Sequence, residues 1–189
     1  MKIIKLHITD KELIRDAIKN KRSAQKKLFD KYAPKMLSVC RRYIHDIHIA
    51  EELMLQGFMK VFTSLNSFQF NGSFEGWIRR IMVNHCISYL RKKEKLVFVE
   101  SLPENPHLEE TDEKIDAKQN AEFLQKIIDE LPEGYKTVFM LFAVEGYKHK
   151  EIAETLGITE NTSKSQLYKA RNILKSKIKS QNEKQYGIQ

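Results

Sequence analysis

Four polar side chains, Arg80, Asn84, Ser88 and Arg91, recur at three- and four-residue steps in one segment of the chain. In an α-helix this spacing places them on a single stripe, and Trp77 falls on the same stripe. Guanidinium groups neutralise phosphates, an amide can hydrogen-bond a base edge, and an indole can stack on an unpaired base. The stripe therefore predicts a surface for single-stranded nucleic acid. The alternative is a solvated basic face with a tryptophan packed at its edge.

The segment just before this stripe mixes aromatic residues with small polar ones. Phe68 and Phe70 alternate with Asn66, Asn71 and Ser73, and the Asn, Ser and Gly content indicates a loop. Such a loop suits a pocket for an unstacked base, which offers a ring face for stacking and an edge for hydrogen bonds. The alternative is that these phenylalanines simply pack in a core.

A second candidate site follows Gly157. This glycine suits a tight turn with positive φ, and Thr159 suits the N-cap of the helix that follows. Two short helices joined in this way form the DNA-binding helix-turn-helix pattern, whose second helix enters the major groove. The candidate contacts on that helix are Lys164, Ser165, Tyr168, Lys169 and Arg171. An ordinary helical hairpin with surface lysines is the alternative.

The elements that must position these side chains are helices. Apolar residues recur at helical steps along most of the chain, and only seven Gly and four Pro occur in 189 residues. We predict an all-α protein with one helical domain over 1–92, an acidic flexible linker over 93–117 and a four-helix domain with the helix-turn-helix over 118–189. Residues 1–91 carry a net charge of +9, whereas residues 92–118 carry −3. In the helix from Phe74 to Lys93 the expected inward residues are Phe74, Ile78, Met82, His85 and Tyr89.

Composition excludes several classes of protein. No run of about 18 apolar residues occurs, so no membrane-spanning helix is expected. The N-terminus is too short and polar for a secretory signal. Only Cys40 and Cys86 are present, too few for a disulfide framework or a cysteine-based zinc site, which indicates a reducing cytoplasm. We expect no cofactor and no metal. A metal-dependent nuclease using Glu51 and Glu52 is disfavoured because adjacent helical residues point about 100° apart.

Three segments, in order, resemble the extracytoplasmic function group of bacterial RNA polymerase sigma factors. AEELMLQGFMKVF (Ala50–Phe62) is similar to the segment that docks on the polymerase clamp. FEGWIRRIMVNHCISYLRKK (Phe74–Lys93) resembles the segment that melts and reads the −10 element. GYKHKEIAETLGITENTSKSQLYKAR (Gly146–Arg171) resembles the helix-turn-helix that reads the −35 element. The resemblance covers roughly Ala24 to Lys177.

The resemblance implies a sigma factor, not an enzyme, that directs core RNA polymerase to promoter DNA and starts strand opening. Core-docking candidates would be Glu51, Glu52, Leu53, Gln56 and Met59. The −10 contacts would be Asn66, Phe70, Trp77, Arg80, Asn84, Ser88 and Arg91. An anti-sigma factor is a further implied partner, and the location implied is the cytoplasm without membrane insertion.

Two positions depart from the family pattern. Leu55-Gln56 stands where the family usually has Gln-Glu, and Lys148 stands where Ser or Thr usually caps the first helix of the helix-turn-helix. The first departure bears on the strength of core binding, and the second should cost about 1 kcal/mol at most. The competing function is a stand-alone helix-turn-helix regulator whose first domain senses a ligand.

Overall fold

The computed structural model describes residues 10–93, 98 and 121–186, and every regular element in this part of the chain is helical. The all-α prediction is therefore confirmed. The described residues form two compact units that divide after Leu90. Apart from residues 93 and 98, the predicted linker over 93–117 lies outside the described residues.

The first unit contains four α-helices and one 3₁₀ turn. These are α1 (Asp10–Ile18), α2 (Arg22–Tyr43), α3 (Ile47–Thr63), the 3₁₀ turn Leu65–Ser67 and α4 (Phe74–Lys92). Helix α2 packs against both α1 and α3. Asp46 starts α3, because its carboxylate accepts hydrogen bonds from the backbone N–H groups of His48 and Ile49 at 2.9 and 3.1 Å. These two bonds satisfy donors that a helix start otherwise leaves without a partner.

The core of the first unit is built from apolar side chains at helical spacing. Its buried members include Leu28 and Met36 of α2, Phe58 of α3, and Ile78 and Met82 of α4. This spacing is the one that the sequence predicted for α2 and α3. The buried residues fix α4 with its polar stripe on the outside.

The buried face of α4 corrects one expectation. His85 and Tyr89 are only half-buried, whereas Val83, Cys86 and Ile87 are buried. The buried residues cover more than half of the helix circumference. The centre of this buried side therefore does not coincide with the line through His85 and Tyr89. His85 therefore lies at the edge of the core and not within it.

The second unit contains the four predicted helices and one π turn that the sequence did not reveal. Its elements are α5 (Ala121–Asp129), α6 (Glu133–Phe139), the π turn Met140–Val144, α7 (His149–Leu156) and α8 (Glu160–Tyr186). Helices α6 and α7 both pack on α8. Ile127 and Leu131 pack with Ala170 and Leu174 in a buried cluster. The core thus holds α8 by one side and leaves the other side exposed.

None of the helices described is both long enough and apolar enough to cross a membrane.

Candidate nucleic-acid interface

The stripe predicted on α4 lies on the protein surface. Arg80, Asn84, Ser88 and Arg91 are all exposed. Trp77 is half-buried, and its indole stacks on the ring of Phe74 with centroids 5.7 Å apart and an interplanar angle of 20°. The stripe therefore presents two guanidinium groups, an amide and a hydroxyl along one line, with the indole at the N-terminal end. This arrangement can contact phosphates and base edges of one strand.

The loop before α4 contributes an aromatic cluster centred on Phe68. The Phe68 ring lies 5.1 Å from the rings of Phe70 and Phe74 and 5.4 Å from Trp77. Phe68 and Phe74 are buried, so for these two the core-packing alternative is correct. Phe70 differs, because this residue is 36% exposed. Asn66 is also exposed, in the 3₁₀ turn that precedes the loop.

The backbone of Phe70 has an unusual conformation, with φ at +57°. A bulky side chain with positive φ is an outlier that persists only where the surroundings enforce it. Here the contact with Phe68 accompanies the strained backbone. The loop therefore presents the Phe70 ring at the surface in a set position.

A cleft of about 440 Å³ borders this loop. Phe68, Phe70 and Ser73 form one wall, and the opposite wall comes from α1 and α2. The side chains from those helices include Lys11, Lys31, Tyr32 and Lys35. The sequence predicted the loop but not this second wall, since no local spacing connects residues 10–35 with residues 68–75.

Acidic residues accompany the lysines of the cleft. Lys31 Nζ lies 2.6 and 2.7 Å from the two carboxylate oxygens of Asp10, and Tyr32 donates its hydroxyl hydrogen to Asp10 Oδ2 at 3.0 Å. Lys35 Nζ lies 2.9 Å from Glu75 Oε2. The hydrogen bond from Lys31 lowers the pKa of Asp10, and the same bond raises the pKa of Lys31. Both groups are therefore charged at neutral pH.

The outer face of α3 carries most of the predicted docking residues. Glu51, Glu52, Gln56 and Met59 are exposed, and Gln56 Nε2 donates to Glu52 Oε1 at 2.9 Å. Met59 is 70% exposed. The group thus combines carboxylates with one prominent apolar side chain on a single helix face.

Leu53 differs in burial from the other residues of the predicted docking set. It is only 5% exposed, because it lies on the same side of α3 as Ala50 and Gly57, which face the core. Leu55, where the family usually has glutamine, is 50% exposed instead. The apolar part of this surface is therefore Leu55 with Met59.

The turn between α7 and α8 has the predicted geometry. Gly157 ends α7 with φ at +70°, and Thr159 Oγ1 accepts the backbone N–H of Thr162 at 3.0 Å. Lys148 offers no side-chain cap to α7, but its backbone N–H donates to Glu151 Oε2 at 3.0 Å. Glu151 thus supplies half of a capping box and offsets part of the missing cap. The helix-turn-helix prediction is confirmed at the level of backbone geometry.

The predicted contact residues on α8 divide into two groups. Lys164, Tyr168 and Arg171 are exposed, with Tyr168 at 39%. Ser165 and Lys169 are half-buried, and Ser165 Oγ donates to the carbonyl of Thr162 at 2.9 Å. The first group forms the outward stripe of α8, and the second lies along its side.

An interaction network that the sequence did not indicate joins α7 to α8. The His149 ring stacks on Phe142 at 4.7 Å, and its Nδ1 lies 2.8 Å from Ser163 Oγ. The Arg171 guanidinium lies over the same Phe142 ring at 5.6 Å. Burial lowers the pKa of His149, and the nearby charge of Lys164 lowers it further. The neutral imidazole therefore packs beside the outward stripe of α8.

The described residues contain no group of three or more His, Cys, Asp or Glu side chains that could hold a metal ion.

Two family models match this chain. The model of sigma-70 region 2 matches residues 28–96, and that of sigma-70 region 4 matches residues 123–174. The first match contains α3, the aromatic loop and the α4 stripe, and the second contains the helix-turn-helix and the outward stripe of α8.

Two proteins with similar sequences are both ECF RNA polymerase sigma factors. The ECF RNA polymerase sigma factor SigE of Mycolicibacterium smegmatis is 30% identical over 154 residues, which are 78% of this chain and 59% of that protein. SigW of Bacillus subtilis, also an ECF RNA polymerase sigma factor, is 26% identical over 182 residues, 89% of this chain and 96% of SigW.

The solved structures with a similar fold include a sigma factor bound to an anti-sigma factor. It is the sigma factor RpoE of Bartonella quintana in complex with the anti-sigma factor NepR, with a TM-score of 0.50 at 22% identity. The match covers 82% of this chain and 96% of that one.

Proposed function

Because the chain belongs to the sigma-70 family, in its extracytoplasmic function group, it is an RNA polymerase sigma factor, and we propose that its two units divide promoter recognition between them. The first unit docks on core polymerase and opens the −10 element. The second unit reads the −35 element. The observation that carries this proposal is the presence of two exposed polar helix stripes, on α4 and α8, each inside its own region match.

Docking on core polymerase falls to the outer face of α3. Leu55 and Met59 supply exposed apolar area, and Glu51, Glu52 and Gln56 surround it with polar groups. Energetically important interface residues are commonly apolar anchors surrounded by polar contacts. The exposed Leu55 replaces a polar contact with apolar area, so the docking energy depends on burying Leu55 and Met59 together.

Opening of the −10 element falls to α4 and the loop before it. Arg80 and Arg91 bind phosphates of the unpaired strand, while Asn84 and Ser88 contact its bases or sugars. Trp77 and Phe70 provide the ring faces on which unstacked bases lie. Unstacking costs a few kcal/mol per step, and these contacts offset that cost. Asn66 lies exposed beside the same loop and can contact the captured base.

Reading of the −35 element falls to α8 in the major groove. Lys164 and Arg171 contact phosphates or guanine edges, and Tyr168 contacts the sugar-phosphate backbone. Ser165 and Lys169 contact the adjacent backbone from the side of the helix. The His149 and Phe142 rings hold the start of α7 against α8, so that the stripe keeps its orientation.

The proposed division excludes catalysis by this chain. Core polymerase forms the phosphodiester bonds, and this chain supplies recognition and strand separation. Such a factor acts where the chromosome is, so we place it in the cytoplasm, without membrane insertion. An anti-sigma factor is a further proposed partner, since the similar RpoE structure is a complex with one.

The test is reconstituted transcription with the purified full chain and core RNA polymerase. The expected result is a stable complex that starts transcripts at positions core polymerase alone does not use. A stand-alone regulator would bind duplex DNA specifically without polymerase and leave start sites unchanged when added to core. That result would overturn the proposal.

A further inference from the structure

We propose that Phe142 is a positioning residue for Arg171, whose guanidinium it holds in place to bind a backbone phosphate of the −35 duplex. The inference rests on the proposed reading of the −35 element by α8 and makes that reading more specific. It assigns a phosphate, and not a base edge, to Arg171. It also gives the π turn a part in DNA binding.

The π turn places the Phe142 ring at the boundary between the core and the surface. Met140 and Leu141 of the same turn are buried, whereas Phe142 is half-buried. A π turn adds one residue relative to an α-helix, so it changes which side chains face the core, and such turns are frequent at functional sites. The Phe142 ring is thus available to side chains of α7 and α8.

The Phe142 ring is held by His149. The two rings stack with centroids 4.7 Å apart and an interplanar angle of 27°, and His149 Nδ1 lies 2.8 Å from Ser163 Oγ of α8. Burial lowers the pKa of His149, so the imidazole is uncharged at neutral pH and does not repel a cation on the same ring. The Phe142 ring is therefore a fixed, uncharged platform beside α8.

Arg171 lies over this platform. Its guanidinium carbon is 5.6 Å from the centre of the Phe142 ring, although the residue is exposed. A guanidinium is attracted to an aromatic face at this distance, and the contact consumes none of its N–H donors. These donors stay available to an anion. Because the side chain is already held, it also loses less conformational freedom when the anion binds.

The place of Arg171 along α8 favours a phosphate over a base edge. In a helix-turn-helix, the N-terminal residues of the second helix contact the base edges. Helix α8 begins at Glu160, and Arg171 follows about three helical turns later. Because the groove curves around the duplex while the helix is straight, a side chain so far along meets the edge of the groove, where the phosphates lie. A guanidinium matches the geometry of a phosphate through paired N–H donors.

The test compares the salt dependence of duplex binding by the isotope-labelled full chain and by its variants. The probe is a duplex of about 20 base pairs of alternating adenine and thymine, which needs no known promoter and no polymerase. Amide shifts of α8 give the dissociation constant at several salt concentrations. Arg171→Ala should make the plot of log K against log salt less steep by about one, because one phosphate contact is lost.

Phe142→Leu should reduce the steepness toward that of Arg171→Ala and weaken binding about threefold or more. Since this substitution removes no charge, a less steep plot means that a cation has left the DNA. The matched control is Phe139→Leu, because Phe139 is also half-buried and packs against the buried cluster of the second unit. It should leave the steepness unchanged. Phe142→Tyr keeps the ring and should bind like the native chain. Denaturant unfolding verifies that each variant is folded in the assay.

Combining Phe142→Leu with Arg171→Ala separates positioning from a purely structural role. A positioning residue acts only through Arg171, so the double variant should bind no more weakly than Arg171→Ala alone. If Phe142→Leu does not fold, the Arg171 Nε–Hε signal of the native chain gives the answer. The Phe142 ring should shift this signal upfield, and added duplex should move it.

An unchanged steepness in Phe142→Leu or in Arg171→Ala, an equal loss in Phe139→Leu, or a further loss in the double variant would overturn the inference. Absence of both effects on the Arg171 Nε–Hε signal would overturn it as well. Reconstituted transcription with the native chain is a separate measurement. If the native chain still directs core polymerase to new start sites, the proposed function stands and only the assignment of Phe142 and Arg171 fails.

Discussion

His149 Nδ1 lies 2.8 Å from Ser163 Oγ, so that a ring on the first helix of the helix-turn-helix is tied to the start of the second. Ser163 is fully buried, and the His149 ring also stacks on the Phe142 ring. The position of α8, which carries the proposed −35 contacts, therefore depends on a titratable group.

This tie should make the second unit sensitive to acid. Burial lowers the folded-state pKa of His149 below the ordinary value near 6.5. Unfolding therefore takes up a proton at pH values between the folded-state pKa and 6.5. The free energy of unfolding should therefore be highest above pH 6.5 and fall as the pH drops from there toward the folded-state pKa. Denaturant unfolding of α7 and α8, followed by amide NMR signals at several pH values, measures the slope. His149→Gln should flatten it, and equal slopes for both proteins would contradict the prediction.

Close helix packing at Gly57 should make this position intolerant of alanine. A Cβ atom on Gly57 would lie far inside van der Waals contact with Met82 Sδ, and Met82 is fully buried, so its side chain would have to repack within the core. Overpacking costs about 1–3 kcal/mol, which exceeds the helix propensity gained by alanine. We expect Gly57→Ala to lower the stability of the first unit by about 1–2 kcal/mol. Fluorescence of Trp77, the only tryptophan in the chain, reports the unfolding of this unit.

The matched control is Gly76→Ala on α4. A Cβ there would meet only Ser73 Cβ at 3.8 Å, an ordinary contact, and Gly76 is exposed. Alanine should stabilise this helix by up to about 1 kcal/mol. If both variants lose stability equally, the close approach at Gly57 is not the cause.

Truncation of the exposed apolar residues on α3 should weaken binding to core polymerase. Leu55→Ala/Met59→Ala removes the apolar area that docking would bury, and about tenfold or greater loss of affinity is expected. The free energy of unfolding should change by about 0.5 kcal/mol or less, because both side chains are exposed in the free protein. Ile47→Ala, at the opposite end of the same helix, is the control and should bind almost normally. Pull-down or anisotropy with labelled core polymerase measures each affinity.

Substitutions in the two polar stripes should cause defects in different assays. Lys164→Ala should weaken binding of holoenzyme to −35 duplex DNA about tenfold, because one cationic contact to DNA is lost. Asn84→Ala should leave duplex binding unchanged and reduce strand opening, measured by permanganate reactivity of unpaired thymines. Lys126→Ala, an exposed lysine on α5 that is not among the proposed DNA contacts, controls for loss of charge. Equal effects of the Lys164 and Asn84 variants on duplex binding would refute the division of labour.

Local patterns in the sequence were enough for the helices and for the helix-turn-helix. Gly157 ends α7 and Thr159 caps α8 through contacts within a few residues, so spacing alone predicts both roles. The burial of Leu53 was not predicted, because a family motif names residues without stating which side of the helix meets the core. The π turn was missed because it differs from an α-helix by one hydrogen-bond step and leaves no mark in composition.

The cleft and the His149 network lay beyond sequence reasoning for a different reason. Asp10 and Lys31 are separated by 21 residues, and Lys35 and Glu75 by 40. His149 meets Phe142 only because the π turn and α7 bring the two rings together. Contacts of this kind are set by packing between helices, and no spacing within one helix predicts them.

The left-handed backbone at Phe70 restricts which residues can occupy that place. A β-branched side chain is strongly disfavoured there, since its second γ substituent crowds the carbonyl in this conformation. Valine and isoleucine are therefore disfavoured in a loop of this shape. Glycine adopts the backbone conformation without strain but has no ring. A different base preference at this position therefore requires an aromatic or other unbranched residue in place of Phe70, or a loop with a different backbone.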